Sequence, residues 1–214
     1  MTCDHFAELG IARRAWLDAE EIKFRHHTLM ADSHPDKSSG DTPRATRLNA
    51  ARGVLENSAL RLRHLVELEF PGFSPIEKPQ PNWDLFSRAG EASRLASELA
   101  AKNATATNAL TKALLQGHIA KAKLALLDLR KEFDLFTQDL AKRTRSLPTP
   151  LSEPQIAANL AEEWTFLQRM QATVHNASAD IASLYVPRRD NHEESRVFNF
   201  TIIAGELDRG TAGM

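Results

Sequence analysis

Seven of the ten prolines fall in two short stretches, Pro71, Pro75, Pro79 and Pro81 in the first and Pro148, Pro150 and Pro154 in the second. Proline lacks the donor that a helix ladder needs and its ring clashes with the preceding turn, so these stretches are joints. Residues 82–147 contain no proline and are free to form long helices. The intervening sequence is rich in Ala, Leu, Glu, Lys and Arg and poor in Val, Ile and Tyr, which favours helix over strand. The chain is expected to be all-α. The joints divide it into residues 1–72, residues 83–186 and a mostly polar tail, 187–214, expected to be flexible, whose one β-like run, 197–203, is a candidate for docking on the rest.

The 214 residues suit one ordinary domain or two small ones, and 42% apolar with 26% charged residues suffices to bury a core. Lys and Arg number 27 against 28 Asp and Glu, a net charge of -1 that offers no overall field to a phosphate backbone or an anionic membrane. Neither nucleic acid nor membrane is the expected partner. The single cysteine, Cys3, excludes an internal disulfide and a structural zinc site built from several thiolates, and suits a reducing compartment. Asp4 and Glu8 stand where a secretory signal would carry its basic and apolar regions, and no apolar run approaches spanning length, so the expected location is cytoplasmic.

Cap signals place the helices. A short one, roughly residues 4–9, is closed by Gly10. Asp18 with Glu21 forms a capping box, and Leu17 with Ile22 can make a hydrophobic staple; this helix should stop near Ser33, because Pro35 disfavours helical geometry at His34. Thr42-Pro43 opens a further helix carrying Leu48, Ala51, Leu55, Leu62, Leu65 and Leu68 on one face. Beyond the first joint, Leu85, Ala89, Ala92, Leu95 or Ala96, and Leu99 make a stripe. Candidate turns follow at residues 103–108 and at Gln116-Gly117. Ile119, Ala122, Leu126, Leu129, Phe133, Phe136 and Leu140 then alternate spacings of three and four without a miss, a seam for packing on neighbouring helices. Ser152 to Gln155 is another capping box, followed by Ile156, Leu160, Leu167, Met170, Val174, Ala177, Ile181 and Leu184. Three such helices with short connections pack as an antiparallel bundle.

His34-Pro35-Asp36-Lys37, between two helices, is the most informative run for function. Pro35 stiffens the connection, and Asp36 and His34 supply an acceptor and a hydrogen-bonding ring at an exposed turn. Together with Asp4-His5-Phe6 and Leu9-Gly10-Ile11 before it, Glu20-Glu21-Ile22-Lys23 and Leu29 leading into it, and Leu48-Asn49-Ala50-Ala51 with Val54-Leu55 after it, the segment resembles a J-domain, the module by which co-chaperones engage DnaK-type ATPase chaperones. The resemblance implies an N-terminal helical hairpin ahead of the bundle. It also implies that His34, Pro35, Asp36, Lys37, Lys23 and Arg25 dock on the chaperone and promote its ATP hydrolysis. The second helix departs from a plainly basic surface: Lys23 and Arg25 are joined by His26 and His27 and offset by Glu20, Glu21 and Asp32. That balance keeps open a different class, a helical adaptor whose J-like segment is purely structural.

Arg61-Leu62-Arg63-His64-Leu65-Val66-Glu67-Leu68 and Phe166-Leu167-Gln168-Arg169-Met170 resemble the HscB branch of that family, which follows its J-domain with a helical bundle and helps deliver an IscU-type iron-sulfur scaffold to the chaperone HscA. By that resemblance Leu85 and Phe86 are candidates for client contact; as members of an apolar stripe they are in the first place candidates for burial. The chain lacks a Gly-x-x-x-x-Gly-Lys phosphate loop, a Gly-x-Ser-x-Gly elbow and a Glu-x-x-His pair, so neither an enzyme nor a resident cofactor is expected. His26 and His27, about 100° apart on a helix, are poorly placed to share a metal and are expected to face solvent.

Overall fold

The computed structural model describes residues 3–32, 42–76, 79–80 and 82–184. Among them every regular element is an α-helix: α1 (His5–Leu9), α2 (Ala19–Asp32), α3 (Thr42–Glu56), α4 (Ser58–Glu69), α5 (Trp83–Thr105), α6 (Ala109–Arg145) and α7 (Pro154–Leu184).

Helix α1 is short enough to depend on its ends. The Asp4 carboxylate accepts the N–H groups of Phe6 and Ala7, and Gly10 closes the helix with φ at 62°, a left-handed conformation that costs glycine little. Partial burial pushes the Asp4 carboxyl up, but bonds from the Arg13 guanidinium and those two N–H groups outweigh it and hold its pKa below the usual range. At α2 the Asp18 carboxylate takes the Glu20 N–H at 2.9 Å, while Leu17 and Ile22 are both buried as a staple requires. Glu21 does not return to the cap; its carboxylate meets Arg14 instead.

The long helix expected after Thr42 is two helices. Asn57 leaves helical geometry and its side chain accepts from the N–H groups of Ala59 and Leu60, starting α4 afresh. The buried Arg61 guanidinium fills the corner, donating to the carbonyls of Ala15 at 2.8 Å and Leu55 and to the Ser58 hydroxyl at 3.2 Å. Burial pushes its pKa down to about 10, so it remains a cation at neutral pH. The Leu55 carbonyl, which α3 can no longer satisfy at its end, gains a donor from this side chain.

The C-terminal helices run up, down and up. Asn82 and Asn108 cap α5 and α6. The 37-residue α6 passes through Gln116-Gly117 without a turn, so that expected break is absent; Leu115 and Ile119 keep burying the same face on both sides of it. Every seam residue of α6 is buried except Phe136, which is half-buried. Of the two stripe candidates on α5, Ala96 is buried and Leu95 is exposed. On α7, Leu160, Leu167, Val174, Ala177 and Ile181 are buried as expected and Met170 and Leu184 are half-buried, but Ile156 is exposed while Ala157 and Ala161 turn inward. Bidentate ion pairs lash the outside: Arg88 to Glu132 at 2.6 Å between α5 and α6, and Arg143 to Glu163 at 2.6 and 2.8 Å between α6 and α7. Inside, the Trp164 indole N–H donates to the buried Thr144 hydroxyl at 3.0 Å.

The proline-rich connection does not keep the two halves apart. Helix α4 lies antiparallel on α7, with Asn57 amide to Gln168 at 3.3 Å, Arg63 to Glu162 at 3.0 Å, and the Glu69 carboxylate accepting the Leu151 N–H at 2.8 Å. Trp16 is placed between two cations, with Arg145 of α6 4.1 Å above its ring and Arg61 6.0 Å away. One apolar core runs from Phe6 and Leu9 through Leu62 and Leu65 to Leu126 and Leu167. The reason is spatial: the joints bring α4 and α7, distant in sequence, side by side.

Candidate functional site

The run His34-Pro35-Asp36-Lys37 lies outside the described residues; what the structure shows is the pair of helices that brackets it. The two helices pack on each other: His26 of α2 reaches Asn49 of α3, ring nitrogen Nε2 to Oδ1, at 2.9 Å. His26 is therefore buried, contrary to the solvent-facing expectation, whereas His27 is exposed. Ile22, His26 and Leu29 are spaced four and three apart and share the inward face, a pattern readable from the sequence once His is admitted to an apolar stripe.

On the opposite face of α2, Lys23, Phe24, Arg25 and His27 are exposed. Lys23 donates to Glu20 at 2.7 Å, and that hydrogen bond with the Glu20 charge raises the lysine pKa. Arg25 makes no ion pair or hydrogen bond with the described residues. With Glu20 tied to Lys23 and Glu21 to Arg14, two of the acids that balanced this helix in the sequence are already engaged. Phe24 is 69% exposed between the two cations, a large apolar group with no core role. Sequence reasoning passed over it, although its offset of two from Ile22 already placed it on the far side of the helix.

A second surface lies where the bundle begins. Leu85 and Phe86 part company there: Leu85 is buried in the core and has no surface to offer a client, while Phe86 is 45% exposed. The Phe86 ring stands 6.4 Å from Phe166 of α7 and 5.7 Å, edge to face, from the exposed Trp83. Phe86, Phe136, Phe166 and Met170, with Pro79, line a groove of about 500 Å³. Glu162 and Glu163 on its rim are already paired with Arg63 and Arg143. Arg169, also on the rim, has no partner among the described residues. Trp83 and Phe136 were missed as surface groups, since periodicity assigned Phe136 to the seam and Trp83 precedes the stripe that begins at Leu85.

A search of solved structures finds a likeness to the human co-chaperone protein HscB. The crystal structure of that protein aligns with 82% of this chain and 82% of its own, at 17% sequence identity and a TM-score of 0.46. No family model matches the sequence, and no curated protein does.

Chemically, both surfaces are suited to binding. Among the described residues there is no cluster of His, Cys, Asp or Glu able to hold a metal ion, and no helix long and apolar enough to cross a membrane. The α2 face offers cations beside an aromatic ring, a combination that favours a partner with carboxylates next to apolar side chains. The groove offers an aromatic floor with one unpaired cation at its edge. An apolar segment carrying a carboxylate would leave neither group unsatisfied there.

Proposed function

We propose that this chain is a J-domain co-chaperone: it engages a DnaK- or HscA-type ATPase chaperone through the α2 face and the His34-Pro35-Asp36-Lys37 run, stimulates ATP hydrolysis, and presents a client held by the C-terminal bundle. The observation that carries the reading is the packed α2/α3 pair bracketing that run, with Lys23 and Arg25 exposed on the helix leading into it. The client surface is the groove at Phe86, Phe136, Phe166 and Met170, and an IscU-type iron-sulfur scaffold is the client class that the sequence resemblance favours. The chain itself hydrolyses nothing in this scheme and works in a cytoplasmic setting.

The helical-adaptor reading draws on the Glu20–Lys23 pair, which removes part of the cationic character of α2. A single-turnover ATPase assay on the cognate chaperone separates the two. The full chain should accelerate hydrolysis and Asp36→Asn should return it to the rate of the chaperone alone, with unchanged circular dichroism. Equal acceleration by variant and parent removes the docking role from Asp36, and no acceleration by either leaves the adaptor. For the client surface, Phe86→Glu should weaken capture of a purified scaffold while the ATPase acceleration measured without client is retained.

A further inference from the structure

A second groove, sharing no lining residue with the first, lies between the C-terminal part of α5 and the N-terminal part of α6. Leu95 and Leu99 of α5 and Leu114 and Leu115 of α6 form its walls, Lys102 and Lys121 stand on its rim, and its volume is about 540 Å³. Leu95 and Leu114 are 42% and 63% exposed, which leaves a leucine-lined channel open where the core residues Ala122 and Leu126 already fill the interior. We propose that the apolar run 197–203 of this chain's own C-terminal segment, with Val197, Phe198, Phe200, Ile202 and Ile203, docks in this groove.

Three observations select that occupant. The described chain ends at Leu184, whose carbonyl accepts a hydrogen bond from the Gln116 side chain at 3.2 Å. Gln116 sits on α6 between the groove residues Leu115 and His118, so the segment departs at the axial level of the groove, on the adjoining side of the same helix. Passing half-way round a helix takes about 16–19 Å, and the thirteen residue steps from Leu184 to Val197 can span roughly 45 Å when extended, so reach is ample. The 197–203 run is the one apolar stretch after Leu184, and it is flanked by Glu193 and Glu194 on one side and Glu206 and Asp208 on the other, against Arg196 and Arg209. Those four carboxylates oppose a rim that carries Lys102, Lys121 and His118.

The test uses the full chain with Cys3→Ser, so that two introduced thiols are the only ones. With oxidised glutathione as the oxidant, Lys121→Cys with Asn199→Cys should form an intramolecular disulfide in dilute protein at least about tenfold faster than the control pair Asp139→Cys with Asn199→Cys, because docking raises the effective concentration of one thiol at the other. Adding Phe198→Glu and Phe200→Glu, or Leu114→Lys on the exposed wall, should bring the rate down to the control. Equal rates for the two pairs would overturn the proposal. Disulfide-linked dimers in place of the internal bond would overturn it too, by assigning the groove to a second copy of the chain.

Discussion

His64 shows how one side chain of α4 controls the N-terminal end of the molecule. Its Nε2 accepts the His5 backbone N–H at 3.1 Å, satisfying a donor that α1 leaves open, and its ring lies 5.8 Å from Phe6 and 4.6 Å from His5. Burial, then the neighbouring His5, lowers its pKa below the ordinary histidine value; Asp4 and Glu67 pull the other way without prevailing, and Arg13 adds to the lowering. The acceptor role requires the neutral ring. A histidine whose folded pKa is depressed contributes its stability above the unfolded value of about 6.5 and loses it as pH falls from there through the folded value. Thermal midpoints measured between pH 7.5 and 5 should therefore fall more steeply for the parent than for His64→Gln, whose amide oxygen can accept at every pH. Parallel slopes would show that His64 is not a linked group. That His64 and Arg61 hold the N-terminal helices was not readable in the chain, because Arg61-Leu62-Arg63-His64 has the composition of a solvated helix face. Only the approach of Ala15, Leu55 and His5 turns these polar groups inward.

Among the helices, α6 was the most legible and the α3–α4 pair the least. The seam spacing identified the buried face of α6 because a face periodic over many turns leaves the helix one way to hide it. Leu129, 2% exposed at the middle of that seam, should cost about 2–5 kcal/mol when cut to alanine, read as a shift in denaturant midpoint at constant m. A midpoint equal to that of the parent would mean that α6 turns this face to solvent. The break at Asn57 escaped notice since Leu48, Ala51, Leu55, Leu62 and Leu65 keep helical phase across it. An asparagine inside a periodic run is a weak signal until its side chain is seen capping Ala59 and Leu60. Gln116-Gly117 is the converse: two residues with turn character stay helical in α6, where packing on both sides outweighs the roughly 1 kcal/mol penalty of glycine.

For the whole molecule, the shared core has a consequence that two separable modules would not. Since α4 is held by α7 through Asn57, Arg63 and Glu69, the described chain should unfold as one unit, with calorimetric and van't Hoff enthalpies that agree. Residues 1–72 alone should melt well below the intact chain, because Arg63 and Glu69 lose their partners and Trp16 loses Arg145. Two separate transitions, the lower one matched by residues 1–72 in isolation, would restore the picture of independent modules. The sequence by itself determined the all-helical class, the close of α1 at Gly10, the seam of α6 and the family resemblance around His34-Pro35-Asp36, since each depends on residues close along the chain and on helical periodicity. Tertiary structure decided which polar side chains are internal, that Leu85 is core and Phe86 surface, and that the first and last helical segments share one interior. Those outcomes depend on which distant surfaces meet, and nothing in a local pattern records the partner that takes a residue out of water.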